Sequence, residues 1–245
     1  MINMDCKITL SVNAGVSIQI EGKKILVDAF FETADEGISV MTQELFHRVM
    51  EAPEFQNANC LFFTHAHKDH YSAGMTKAYL ENYPECLLIG PETVSPDETI
   101  RNPGVVLSED VSMKIHGIDF DFFPLLHEGG PSKETPHFGC MISVGGKTIL
   151  MPGDGKLFTE ELAAKAKGRE IDLAILDFPW LTAPGGIDYV YGKINPSNVI
   201  LYHLPTPEND KFRYLAAVDY ALAKLPEEKN AQILCRPLQT IEVHL

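Results

Sequence analysis

A seven-residue segment rich in metal-binding side chains constrains this chain more than any other feature. It reads THAHKDH over residues 64–70 and directly follows an apolar run typical of a buried strand. Imidazole nitrogens and carboxylate oxygens are the ligands that suit zinc and related transition metals. His65 and His67 alternate with one alanine and can point the same way at a strand end, whereas Asp69 and His70 come from the turn that follows. The segment therefore predicts ligands for two neighbouring cations.

Two metal shells need more ligands than one loop supplies, and three later strand ends offer them. His127, Asp154 and His203 each follow an apolar, β-prone run. A side chain at the end of a rigid element can be placed accurately enough for a metal site. We therefore take these three residues as the remaining candidate ligands.

The order of predicted elements favours an α/β fold with one domain over residues 1–245. Short β-prone runs outnumber helical ones, and the helices follow groups of strands. The clearest local signal is a hairpin, in which Phe138–Val144 and Lys147–Met151 flank a Gly-Gly turn. Helices are predicted over Ser39–Met50, Ser72–Tyr83, Thr159–Lys167 and Lys211–Leu225. This order fits two mixed β-sheets packed face to face with helices on the outer faces.

The motifs resemble those of the metallo-β-lactamase superfamily over nearly the whole chain. The resemblance rests on the H-x-H-x-D-H motif at residues 65–70, a later histidine, the Gly153-Asp154 pair and a last histidine after a strand. It implies a four-layer αββα sandwich with a dinuclear metal site at one edge. It also implies one metal held by His65, His67 and His127, a second held by Asp69, His70 and His203, and a bridging Asp154.

Two further side chains have roles that the sequence leaves open. His137 competes with His127 for the third histidine position, because it begins the predicted hairpin at the same edge as Asp154. We favour His127, since superfamily members usually place this histidine at a strand end ahead of a Gly-rich hairpin. His137 is then a residue beside the ligands or the substrate, or an ordinary surface-loop residue. Asp28 ends a predicted strand, where it would either hold a ligand histidine by its free N–H or simply form a turn.

The resemblance implies a metal-dependent hydrolase. Two divalent cations, zinc first with manganese or iron as alternatives, would share a hydroxide made by lowering the pKa of bound water. Asp154 would bridge the cations, and Asp69 would also orient the hydroxide or pass a proton to the leaving group. The expected substrate is an ester, lactone or phosphate ester of a small molecule.

Two other functions compete with hydrolysis. A persulfide dioxygenase-type oxidoreductase would keep the histidine-rich motif and use one iron. Diiron relatives usually have glutamate where His67 stands here. A binding module without catalysis would be expected to lose ligands, and this chain keeps the full set.

Composition and the first residues indicate a cytoplasmic protein that binds neither nucleic acid nor a membrane, in keeping with the small-molecule partner that the resemblance implies. Twenty basic residues against thirty-four acidic ones give a formal net charge of −14, which disfavours binding to nucleic acid or an anionic membrane. The five cysteines form no C-x-x-C pair, which indicates reduced thiols. The first residues lack the features of a signal peptide. A homo-oligomer remains open.

The stretch Phe178–Pro196 is rich in aromatic residues, proline and glycine. Its glycines and prolines predict a long loop. Trp180, Tyr189 and Tyr191 would then either line a substrate pocket or pack against the domain.

Overall fold

The structure is a computed structural model that describes residues 4–32, 37–94, 104–129 and 135–245. Its strands, in chain order, are β1 (Asp5–Leu10), β2 (Val16–Ile20), β3 (Lys23–Val27), β4 (Cys60–Phe62), β5 (Leu87–Pro91), β6 (Val105–Leu107), β7 (Val111–Ile115), β8 (Ile118–Pro124), β9 (Phe138–Val144), β10 (Lys147–Met151), β11 (Leu173–Asp177), β12 (Asn198–Tyr202), β13 (Gln232–Ile233) and β14 (Thr240–His244). Its helices are α1 (Gln43–Glu51), α2 (Ala73–Asn82), α3 (Glu160–Ala166), α4 (Pro179–Thr182), α5 (Gly186–Tyr189) and α6 (Tyr214–Leu222), with a π-helical segment at Val190–Ile194.

The strands form two mixed seven-stranded sheets. The first has the order β14-β1-β2-β3-β4-β5-β6, and the second has the order β13-β12-β11-β10-β9-β8-β7. Pairing is antiparallel from β14 to β3 and parallel from β3 to β6. In the second sheet it is antiparallel from β7 to β10 and parallel from β10 to β13. Each sheet thus has a parallel part, whose strands all end at the same edge.

Three apolar clusters separate four layers, so the predicted αββα sandwich is confirmed. The central cluster fills the space between the sheets, where the rings of Phe62 on β4 and Phe122 on β8 lie 5.0 Å apart. A second cluster packs α1 and α2 against the first sheet. The third packs α3, α4 and α6 against the second sheet. Burial on both faces explains why β4 and β11 read as continuous apolar runs.

The metal-binding segment lies in the loop between β4 and α2, and both ends of this loop are fixed. At its start the Thr64 N–H donates to Asp28 Oδ1 at 2.8 Å. At its end the Ser72 N–H donates to the Phe30 carbonyl at 2.9 Å, and the Ser72 hydroxyl accepts from the Met75 N–H as the N-cap of α2. The loop is therefore held against the chain that follows β3.

The predicted long loop at residues 178–196 is wrong, because this stretch is largely helical. It contains α4, α5 and the π-helical segment. Trp180 is fully buried, and its ring lies 5.9 Å from those of Phe158 and Tyr189. Tyr191 donates its hydroxyl hydrogen to the Asn230 carbonyl. These aromatic residues pack on the outer face of the second sheet, and their burial there overrides the turn signals of the local sequence.

Neither a disulfide nor a membrane-spanning helix contributes to the part of the fold described. All five cysteines are free, and only Cys235 is not buried. Burial raises the pKa of the Cys6 and Cys86 thiols to about 12. Among the described helices, none is long and apolar enough to cross a bilayer.

Candidate metal centre

The topology brings the candidate residues to one edge of the sandwich. The loop that carries the histidine-rich motif (residues 64–70), here called the motif loop, follows β4 of the first sheet. Asp28 follows the parallel neighbour of β4, strand β3. Across the inter-sheet core, Asp154 follows β10 and His203 follows β12, two members of the parallel part of the second sheet. His127 follows β8 and pairs as an isolated bridge with Gly155. Side chains that are far apart in sequence therefore meet where the strands end.

Three imidazoles form the first group of ligand atoms. Nitrogens of His65, His67 and His127 all lie within 4.8 Å of one another. The Nε2 atoms of His65 and His127 are 3.3 Å apart. Two nitrogens that coordinate one tetrahedral zinc ion at its usual bond length are also about 3.3 Å apart. The spacing of this group therefore fits a cation with imidazole ligands.

A second group of ligand atoms, with two imidazoles and one carboxylate, lies beside the first group. Ligand atoms of Asp69, His70 and His203 also lie within 4.8 Å of one another. The Nε2 atoms of His70 and His203 are 3.2 Å apart, and Asp69 Oδ2 is 3.9 Å from each of them. Two nitrogens that face each other this closely need a proton or a cation between them. The second group therefore also fits a cation.

Asp154 lies between the two groups. Its Oδ2 atom is 3.2 Å from His70 Nε2, 3.5 Å from His203 Nε2 and 3.8 Å from His127 Nε2. Its other oxygen, Oδ1, is buried without a hydrogen-bond partner among the described residues. One oxygen thus reaches nitrogens of both groups, which is the placement that a bridging ligand requires.

The titratable side chains of the site shift one another's pKa values strongly. Burial lowers the pKa of His70, but the Asp154 and Asp28 carboxylates outweigh burial and raise it well above its usual range. The pKa of His203 is likewise lowered by burial and raised by Asp154 and Asp177, with a net value of about 9. Burial would raise the pKa of Asp154, yet His70 and His203 bring it well below its usual range. In the absence of a cation, protons therefore supply the positive charge that this carboxylate requires.

Asp28 holds the ring of His70, a member of the second group, through a hydrogen bond. Its Oδ2 atom lies 3.0 Å from His70 Nδ1, and both side chains are fully buried. The same carboxylate accepts hydrogen bonds from the Thr64 N–H and hydroxyl at 2.8 and 2.7 Å. Asp28 adopts a positive φ of 48°, a conformation that aspartate tolerates better than most residues. This geometry orients His70 so that Nε2 faces the other ligands.

His137 lies beside the first group but outside it. It is 2% exposed, so the interpretation as a surface-loop residue is wrong. Its ring centre is 5.1 Å from that of His65, and neither ring nitrogen has a hydrogen-bond partner among the described residues. Burial lowers the pKa of His137 to about 3 and keeps the ring neutral. The structure brings His127, and not His137, together with His65 and His67.

The sequence analysis missed Asp177, the last residue of β11. An oxygen of its carboxyl group lies within 4.8 Å of ligand atoms of Asp154 and His203. Burial and the neighbouring Asp154 raise the pKa of Asp177 well above its usual range. The available signal was its position, since it ends an apolar strand just as His203 follows one.

A cavity of about 870 Å³ opens beside the first group. His127 and His137 form part of its wall, and Lys156 and Glu128 are among its polar residues. Apolar atoms nevertheless make up most of the surface area of the wall. The apolar residues that line it within the described chain are Leu107, Pro124, Leu125, Leu126, Pro136 and Phe138.

Comparisons with solved structures agree with this fold. No curated protein matches the chain in sequence. Among solved structures, a metallo hydrolase from Ignicoccus hospitalis, Igni18, is similar with a TM-score of 0.67 and 14% identity, covering 98% of this chain and 99% of that one. The metallo-β-lactamase fold protein YhfI from Bacillus subtilis gives a TM-score of 0.68 at 11% identity, covering 96% of this chain and 99% of that one. The diiron β-hydroxylase CmlA from Streptomyces venezuelae gives 0.67 at 14% identity, covering 98% of this chain and 54% of that one.

These structural likenesses establish the fold, and the family follows from the sequence. A family model described as the beta-lactamase superfamily domain matches residues 23–185, which include the whole histidine-rich motif, His127 and Asp154. The chain therefore belongs to the beta-lactamase superfamily and has its metallo-β-lactamase fold.

Proposed function

We propose that the chain is a hydrolase that depends on two divalent cations and cleaves an ester, lactone or phosphate ester of a small molecule. The observation that carries this proposal is the position of Asp154 Oδ2 within 3.8 Å of nitrogens from both ligand groups. One cation would be held by His65, His67 and His127. Zinc suits this set, since all three ligands are imidazoles. Asp69, His70 and His203 would hold the other.

Each side chain of the site would then have a separate role in hydrolysis. When bound, a pair of divalent cations lowers the pKa of water and polarises the oxygen that gains charge. Asp154 would keep the two ligand groups at a fixed separation. The side chain of Asp69 is 18% exposed, so it can accept a hydrogen bond from the attacking water and transfer a proton to the leaving group. His70, held by Asp28, would keep its ring orientation throughout.

The cavity supports a small substrate with an apolar part. Its wall includes His127, so a molecule bound there would reach the first ligand group. The aliphatic side chains of Leu107, Leu125 and Leu126 would bury apolar surface of that molecule. The formal net charge of −14 favours a small molecule over a nucleic acid.

Metal analysis followed by a substrate screen tests the proposal. Purified protein should contain two zinc or manganese ions per chain, and the reconstituted protein should hydrolyse a member of a panel of lactones, thioesters, phosphomonoesters and phosphodiesters. Asp154→Ala should lose bound metal and activity together, while Asp188→Ala, at an exposed position, should keep both. Unchanged metal content in Asp154→Ala would contradict the bridging role.

The alternative is an oxidoreductase of the persulfide dioxygenase type with one iron. CmlA is named a diiron β-hydroxylase and shares the fold. One iron would need only one ligand group, whereas this chain presents the all-histidine group and, beside it, the separate group of Asp69, His70 and His203. Purified protein that contains a single iron and consumes oxygen with a persulfide would favour the alternative.

A further inference from the structure

The proposed function leaves one buried acid of this edge without a role. Asp177 is 8% exposed, and its Oδ1 atom has no hydrogen-bond donor among the described residues. Within the described chain, no lysine, arginine or histidine forms an ion pair with Asp177 at 4.0 Å or less. Its neighbour Asp154 is also an acid, and two buried carboxylates side by side are strongly unfavourable unless a proton or a cation lies between them.

The strand pattern directs this carboxyl group toward the ligand groups. Leu173 and Ile175 of β11 belong to the central cluster between the sheets, whereas Ala174 and Leu176 belong to the outer cluster. Side chains alternate along a strand, so Asp177 continues the inner row. It is paired in register with Tyr202, which also belongs to the central cluster and directly precedes His203. The carboxyl group therefore ends an otherwise apolar inner row at the edge where the ligands meet.

Two neighbours of Asp177 are already candidate ligands. An oxygen of Asp177 lies within 4.8 Å of an oxygen of Asp154 and of a ring nitrogen of His203. Asp154 Oδ1 is also buried without a donor among the described residues. Two ligand atoms on opposite sides of one ion are about 4.3 Å apart, so this spacing is compatible with a shared cation. A cation beside His203 would satisfy both carboxylates at once.

We propose that Asp177 is a further ligand of the cation held by Asp69, His70 and His203. That site would then offer two imidazoles and three carboxylates, while the first site offers three imidazoles and the bridging carboxylate. Carboxylate-rich sites bind manganese relatively better, and imidazole-rich sites suit zinc. The second site should consequently discriminate less strongly in favour of zinc over manganese than the first site does. This inference rests on the proposed binding of two cations.

The Asp177→Asn variant tests the assignment, because it removes the charge and keeps the size of the side chain. Affinities of both sites for Zn²⁺ and Mn²⁺ would be measured by chelator competition and isothermal titration calorimetry. We expect the second site of Asp177→Asn to lose about tenfold or more in affinity, with a larger loss for Mn²⁺ than for Zn²⁺, and the first site to be unchanged. The matched control is Asp172→Asn, because Asp172 is a buried acid at the opposite end of the same strand, ion-paired with Lys147. It should bind both cations as the wild type does.

The outcomes separate this inference from the proposed function. A second site with wild-type affinity and wild-type metal preference in Asp177→Asn would overturn the role of Asp177 alone. A wild-type protein that binds no second cation would contradict the proposed function itself. If Asp177→Asn does not fold, a crystal structure of the Mn²⁺-loaded wild type decides. A carboxylate oxygen of Asp177 about 2.2 Å from the ion is expected, and a distance beyond about 3 Å contradicts the assignment.

Discussion

His70 Nδ1 lies 3.0 Å from Asp28 Oδ2, and solvent reaches neither side chain. The contact joins the motif loop to the end of β3 across forty-two positions of the chain. It fixes which nitrogen of His70 carries the hydrogen and leaves Nε2 free for a cation. Because Asp28 also accepts two hydrogen bonds from Thr64, one carboxylate sets both the path of the loop and the orientation of a ligand.

Asp28→Asn should therefore weaken binding at the second site. Asp28 accepts three hydrogen bonds with its two oxygens, whereas an asparagine side chain has only one acceptor oxygen. The NH₂ group of the variant would therefore face a group that is itself a hydrogen-bond donor. We expect the affinity for the second cation to fall about 10- to 100-fold. Competition with a fluorescent chelator measures this, with Asp119→Asn on the exposed face of β8 as the control. Equal affinities for Asp28→Asn and wild type would show that Asp28 only forms a turn.

Comparison of two histidine variants tests the third ligand of the first site. His127→Ala removes a nitrogen that lies 3.3 Å from His65 Nε2, so the first cation should be lost. His137→Ala should keep it, although removal of a buried ring should destabilise the fold by about 2–4 kcal/mol. Metal content by mass spectrometry, together with urea unfolding, separates the two effects. If His137→Ala loses the cation while His127→Ala retains it, our assignment is reversed.

Loading of the second site should release protons at neutral pH. The pKa of His203 is about 9, and that of His70 is raised well above its usual range, so the metal-free protein should carry at least one extra proton on this pair of rings at pH 7.5. A cation binds only the neutral rings, and its apparent affinity should consequently increase as the pH rises toward 9. Titration calorimetry at pH 7.5, in buffers that differ in ionisation enthalpy, should detect at least one proton released from the rings, and Asp177 would add another if it binds the cation. Binding heats that do not depend on the buffer would contradict this expectation.

Gly15 is predicted to be irreplaceable for steric reasons. A Cβ atom at this position would clash with Ser11 Oγ and would lie 2.7 Å from the Asp28 carbonyl oxygen and 2.9 Å from Ala29 Cα. Backbone atoms must move to admit it, so Gly15→Ala should reduce the free energy of unfolding by about 1–3 kcal/mol. Because Asp28 moves, metal binding should weaken as well. Gly192→Ala, where an added Cβ meets open space, is the control, and equal unfolding midpoints for the two variants would refute the prediction.

The sequence predicted most of the residues that the structure brings together, because these candidate ligands lie at strand ends. A histidine or aspartate directly after an apolar run is visible without any knowledge of the tertiary structure, and His127, Asp154 and His203 were found in this way. The preference for His127 over His137 came from the resemblance, since both histidines flank predicted strands. Their distances to His65 depend on how β8 and β9 end, and no sequence pattern records that.

Asp177 was missed, and the conformation of the aromatic stretch was predicted wrongly, for a different reason. Asp177 lies near Asp154 and His203 because β11 lies between β10 and β12 in the sheet, and strand order is not visible in hydrophobic patterns. Around Trp180, prolines and glycines favoured a loop, whereas the stretch is largely helical. Long-range burial against Phe158 then stabilised helical turns that local propensity does not favour.

Anomalous diffraction from crystals of the metal-loaded protein tests the central claim most directly. We predict two peaks per chain about 3.5–4 Å apart, one among His65, His67 and His127 and the other among Asp69, His70 and His203, with Asp154 in contact with both. A single peak, or cations bound away from Asp154, would contradict the account.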